Sequence, residues 1–138
     1  MTSTSSRQLG EALRAAANGI HHLEAGTGLL IDCGRWLDRE DFTGRFITTG
    51  TSISDGVTIL ASTDWEAAIT ALHAGELPSS SGERRMLLLA ASIAGGIPVS
   101  LCDTLPGIDH RNASLVVSAV AHASGHADLE TDKRYLNG

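Results

Sequence analysis

Histidines and carboxylates are the side chains in this sequence whose types and spacing could support chemistry. His122 and His126 stand four residues apart, and Asp128 follows two further on. Two imidazoles one helical turn apart can hold a metal ion, and a carboxylate can complete the set. Gly125 lies between them and predicts that the helix ends before His126. No acid stands at the position that an H-E-x-x-H motif requires. His122 then reads as an imidazole in a last turn, facing the negative end of its helix. His21 and His22 are adjacent, with Glu24 nearby, but neighbouring positions leave a regular helix in different directions. His22, His73 and His110 lie on separate segments and would meet only through the fold. No metal and no cofactor is expected, and a metal-dependent enzyme using histidines stays as the weaker alternative.

Nucleophilic catalysis has no signature here. There is no G-x-S-x-G, and Cys33 and Cys102 match no metal or redox spacing. They read as reduced, mostly buried thiols. Asp38, Glu40 and Asp41 cluster at the start of one segment, where negative charge suits a helix N-terminus and needs no catalytic role. The glycines of residues 24–28 loosely match a phosphate loop, but no strand precedes them and no lysine is near.

The elements that would position these residues are mostly helices. Ser5 and Gln8 form a capping pair. Leu9, Leu13, Ala16, Ile20, Leu23, Thr27 and Leu30 then recur at steps of three and four. Asn18-Gly19 predicts a break into two helices. Asp38 is a candidate cap for a helix with Phe42 and Phe46 on its inner face. Asp55-Gly56, between β-favouring runs, predicts a short β-hairpin near residues 52–60, against the competing reading of an ordered polar loop. Thr63 and Glu66 read as a capping box for a helix burying Trp65, Ala68, Ile69 and Leu72, with Gly75 as its stop. Ser80 and Glu83 form the clearest box, opening a helix that Gly95-Gly96 closes and Pro98 cannot continue. Ser100 and Asp103 repeat the pattern over a short segment, and Asp109 caps a last helix that ends near Gly125.

That last helix is apolar almost all round. Leu115, Val116, Val117 and Val120 are its large side chains, leaving a narrow stripe of Arg111, Ser114, Ser118 and His122. Such a helix is buried in a core or covered by another chain, and a domain of this size has little room to surround one completely. Leu115, Val116, Val117 and Val120 are therefore the expected interface.

The same region allows a second reading. A helix over 83–94, a short helix over 100–105 and a helix over 110–124 are laid out like a helix-turn-helix. His110, Arg111, Asn112 and Ser114 would open its recognition helix. Against this, residues 83–125 hold three arginines, three acids and no lysine. The whole chain carries a formal charge of −6, whereas duplex binding relies on clustered cations.

With 138 residues, few aromatics and abundant glycine, the chain reads as one domain of ordinary size. Residues 1–5 are expected to be a disordered N-terminus, 6–125 a single helical domain, and 126–138 a polar tail with Leu129, Tyr135 and Leu136 as docking points. The N-terminus lacks the apolar core of a signal peptide and no apolar run approaches membrane-spanning length, so a cytoplasmic protein is expected. The segments DWEAAITAL at 64–72, GELP at 75–78, SGERRMLLLAASIAGGIPV at 81–99 and the residues Gly107, Ile108, Asp109, Arg111 and Asn112 are similar to small proteins of high-GC bacteria. The resemblance implies a stand-alone domain and carries over no active-site residue.

The resulting expectation is a mainly α, single compact domain of five to seven helices with a short hairpin. It would act as a non-enzymatic interaction or regulatory protein, through self-association or a protein partner. The alternatives are a DNA-binding regulator using residues 83–124 and the histidine enzyme.

Overall fold

The computed structural model describes residues 5–126, so the predicted tail, with Asp128, Leu129, Tyr135 and Leu136, lies outside the described residues, as do residues 1–4. The described chain runs α1 (Ser6–Ala17), α2 (His21–Asp32), a 3-10 turn (Trp36–Asp38), α3 (Glu40–Phe46), β1 (Ile47–Thr51), β2 (Ile59–Thr63), α4 (Trp65–His73), α5 (Ser81–Gly95), α6 (Leu101–Thr104) and α7 (His110–Ala123). It is a mainly helical domain with a two-stranded antiparallel hairpin.

Side-chain caps set most of the helix starts. Ser5 and Gln8 close a capping box on α1, and Ser80 and Glu83 close one on α5. Each satisfies two backbone N–H groups that have no partner inside the helix. Asp109 accepts from the Asn112 N–H at 2.7 Å to open α7. Gly96 takes φ 70°, and its left-handed turn ends α5. The long N-terminal stripe does break at Asn18-Gly19, and Ile20 becomes the half-exposed N-cap of α2.

The core is organised on α2 and α5, and not on α7. Ala25, Leu29 and Leu30 of α2 are buried against Leu87, Ala90, Ala91 and Ala94 of α5, and α4 packs on the same helix through Ala68, Ile69 and Leu72. The α2–α5 approach depends on Gly26: a Cβ there would lie 2.4 Å from Ala94 Cβ and 2.6 Å from the Ala94 backbone nitrogen. Trp36 and Phe42 fill the end of this core, fully buried, and the Trp36 indole donates to the Glu83 carbonyl at 3.0 Å. Leu9, Ala12 and Leu13 of α1 form a smaller cluster with Ala61 of β2, so the hairpin lies on α1.

The hairpin pairs Ile47 with Thr63 through to Thr51 with Ile59. Its connection is a seven-residue loop and not a two-residue turn. Asp55 sits in that loop, accepting from the Val57 and Thr58 N–H groups, each at 2.9 Å, and from the Thr58 hydroxyl. Those bonds hold the Asp55 carboxyl down at about 2. Ile53, Val57 and Ile59 are exposed around the loop.

Three local expectations are corrected. Thr63 does not cap α4, because it is the last residue paired in β2; Asp64 caps instead, accepting from the Ala67 N–H at 3.1 Å. Asp38 does not cap α3, because it closes the 3-10 turn that seats Trp36; Arg39 takes the cap position without a side-chain capping bond. Cys102 is exposed, since α6 is a four-residue helix on the surface, and Cys33 is half-buried. No described helix is long and apolar enough to cross a membrane.

Candidate functional site

Helices α2 and α7 run antiparallel, and a polar contact at each end fixes that register. At one end Arg111 of α7 donates to the Asp32 carbonyl at 2.7 Å. At the other, His122 Nε2 lies 2.8 Å from Glu24 Oε1. Helix α1 lies on another side of α2. Together the three helices enclose a trough of about 420 Å³, floored by α2. That volume is in the range of small-molecule sites.

The trough has a polar pair at each end, with mostly apolar residues and Ser118 between them. Glu24 and His122 close one end, beside Asn18. Glu24 is three-quarters buried and also accepts the Gly19 N–H at 2.9 Å. The Gly19 N–H and the His122 imidazole together hold the Glu24 carboxyl below the usual carboxylate range. The His21 ring stands edge-on to His122, with centroids 5.8 Å apart. At the far end Arg14 Nη2 meets Asp32 Oδ1 at 3.1 Å, with both side chains half-exposed. Between these pairs lie Ala25, Gly28 and Leu29 of α2 and Leu115 and Ala119 of α7. Gly28 leaves room for the Arg14 guanidinium, since a Cβ there would be 3.5 Å from Nη1.

A second hollow of about 520 Å³ lies where the N-termini of α5 and α7 approach Cys33. Arg35, Glu83, Asp109, Arg111 and Asn112 line it. The Asn112 side-chain oxygen is buried and without a hydrogen-bond partner among the described residues. The Cys33 thiol donates to the Leu30 carbonyl at 3.2 Å, and burial pushes its pKa up. It is therefore not an activated thiolate.

The residues singled out from sequence separate in space. His126 lies past the end of α7, as the φ of 81° at Gly125 requires, and its N–H donates to the Ala121 carbonyl. Asp128 lies outside the described residues. His22 Nδ1 sits 3.1 Å from the Ala94 carbonyl and His73 sits 3.2 Å from the Arg84 guanidinium. Among the described residues no three His, Cys, Asp or Glu side chains are grouped as a metal site. Of the helix-turn-helix set, His110 and Ser114 are exposed, Arg111 is engaged with Asp32, and Asn112 is partly buried.

The expected interface divides. Val116 is buried in the core and Leu115 packs against it, lining the trough. Val117 and Val120 point away from the core, 58% and 55% exposed. The helix is thus not surrounded: it lays one apolar face on α2 and leaves the other open.

The Glu24–His122 contact escapes a reading of the sequence because 98 residues separate the partners. The only local signal is their placement, an acid in a first turn and a histidine in a last turn, which antiparallel packing brings together. No protein-family model, no curated protein and no solved structure matches this chain.

Proposed function

We propose that this chain is a non-enzymatic, cytoplasmic interaction protein that self-associates through the outer face of α7. The observation that carries the reading is the pair Val117 and Val120, each more than half exposed on a helix whose inner face is already used. Ala113 precedes them by one turn on the same side and is also exposed, so the face is a continuous uncharged stripe. Two such stripes packed across a two-fold axis bury valine against valine with no like-charge contact. Burial of one valine is worth about 1.5 to 3 kcal/mol.

The rival readings draw less on the structure. Arg111 would have to leave the Asp32 carbonyl to read a base edge, and His122 is already bonded to Glu24.

The test is light scattering on the wild type and on the double variant Val117→Asp, Val120→Asp. Both positions are exposed, so the double variant keeps the fold by circular dichroism. The expected result is an oligomer for the wild type and a monomer for the variant. An unchanged mass for a folded variant contradicts the proposal.

A further inference from the structure

The turn between α6 and α7 carries a cation that the chain does not pair. We propose that this corner of the molecule, Arg85 with Leu101 and Leu105, docks a segment of a second protein in which an acidic side chain stands next to large apolar ones.

Arg85 differs from every other arginine among the described residues. Each of the others has a carboxylate, a carbonyl or an imidazole against it. Arg85 makes no hydrogen bond and no ion pair among the described residues. It is nonetheless partly buried, and its guanidinium lies on the turn: a Cβ at Gly107 would stand 2.3 Å from Arg85 Nη1. Gly107, at φ 86°, has no Cβ and leaves that seat open. Nearby acids do not fill the role. Glu83 caps α5, Asp109 caps α7, and Asp103, exposed on α6, forms no ion pair. The fold thus seats a planar fork of N–H donors, the shape that pairs with a carboxylate, and supplies no acceptor.

The apolar part of the surface lies on the same stretch of chain. Leu101 and Leu105 are 55% and 42% exposed. They stand one turn apart, the Leu105 N–H donating to the Leu101 carbonyl at 2.9 Å. The Leu105 carbonyl in turn accepts the Ile108 N–H at 3.3 Å, which closes the turn that holds Gly107. The formal charge of −6 selects between free and embedded anions. Its field does not draw an anion from a distance, so affinity has to come from contact, with the leucines supplying apolar burial and Arg85 the specificity. An acid flanked by apolar side chains meets both conditions.

The face extends the interaction reading to a different partner. It lies on α5 and α6, whereas the self-association stripe lies on α7, so the two claims fail independently.

NMR titration of the full chain tests the proposal, with the blocked pentapeptide Ala-Leu-Glu-Leu-Ala, the same peptide with Gln for Glu, and sodium acetate as probes. The Glu peptide should shift the Arg85 Nε–H and the Gly107 amide saturably, and bind about fivefold tighter than the Gln peptide. Arg85→Gln removes no bond of the fold and should erase that difference, Arg85→Lys should restore part of it, and Leu105→Ser should weaken both peptides. The proposal is overturned by absence of saturable shifts, by equal affinity for the two peptides, by a difference that persists in folded Arg85→Gln, or by acetate binding as tightly as the Glu peptide. The titration is repeated in Val117→Asp, Val120→Asp. Unchanged peptide affinity there supports a face separate from α7, and Arg85 signals that move on dilution without peptide would give the face to a second copy and overturn the choice of partner.

Discussion

At the scale of single residues, Glu24 joins parts of the chain that lie far apart in sequence. Its carboxylate ties the start of α2 to the preceding loop through Gly19 and to the end of α7 through His122. Because its folded pKa is lowered, its contribution to stability is present above the ordinary carboxylate range and is lost as pH falls through the folded value. Glu24→Gln should therefore lower stability near neutral pH, and the gap to wild type should close once acidification has protonated the Glu24 carboxylate. Urea titrations of both proteins across that range check the sign; a gap that widens on acidification contradicts it. Gly26 makes the second residue-level prediction. An alanine Cβ would collide with backbone and side chain of Ala94, and neither can yield without separating α2 from α5. Gly26→Ala should cost about 1 to 3 kcal/mol or more despite the better helix propensity of alanine. An alanine variant as stable as wild type would show that the two helices do not approach so closely.

At the scale of elements, what is encoded locally could be read and what depends on partners could not. The boxes at Ser5 and Ser80, the Asp109 cap and the break at Asn18-Gly19 all act within four residues, and each stands in the structure. Ser80→Ala should cost about 1 kcal/mol, read as a lowered urea midpoint with unchanged slope. Thr63 shows the opposite case. Ser and Thr followed three residues later by Glu look alike in sequence, but Thr63 is committed to its pairing with Ile47 in the hairpin, and Asp64 takes the cap. Asp38 fails for a similar reason, because burial of Trp36 draws it into a 3-10 turn. The apolar wrap of α7 was legible, but not which side would be buried. That depends on α2 and α5, whose Gly26 and alanines make them the closer pair and leave α7 at the surface. The trough was equally hidden, since α1, α2 and α7 each contribute to it from opposite ends of the chain.

At the scale of the whole molecule, a small-residue core limits how much apolar surface the monomer can bury. Alanines dominate the contacts of α5 with α2, and each buries less area than a leucine. Meanwhile Val117 and Val120 stay open on α7, as do Leu101 and Leu105 at α6 and Ile53, Val57 and Ile59 around the hairpin loop. Exposed apolar side chains grouped on a regular element mark an interaction surface more often than isolated ones do. Assembly should therefore stabilise the fold, and the thermal midpoint should rise with protein concentration, as linkage requires for any folded oligomer in equilibrium with its monomer. The most direct test of self-association is native mass spectrometry of the untagged full chain over a dilution series. The expected result is a defined oligomer, with no added mass needed to hold it, that dissociates on dilution and is absent in Val117→Asp, Val120→Asp. A wild-type chain that stays a folded monomer at every concentration would contradict it.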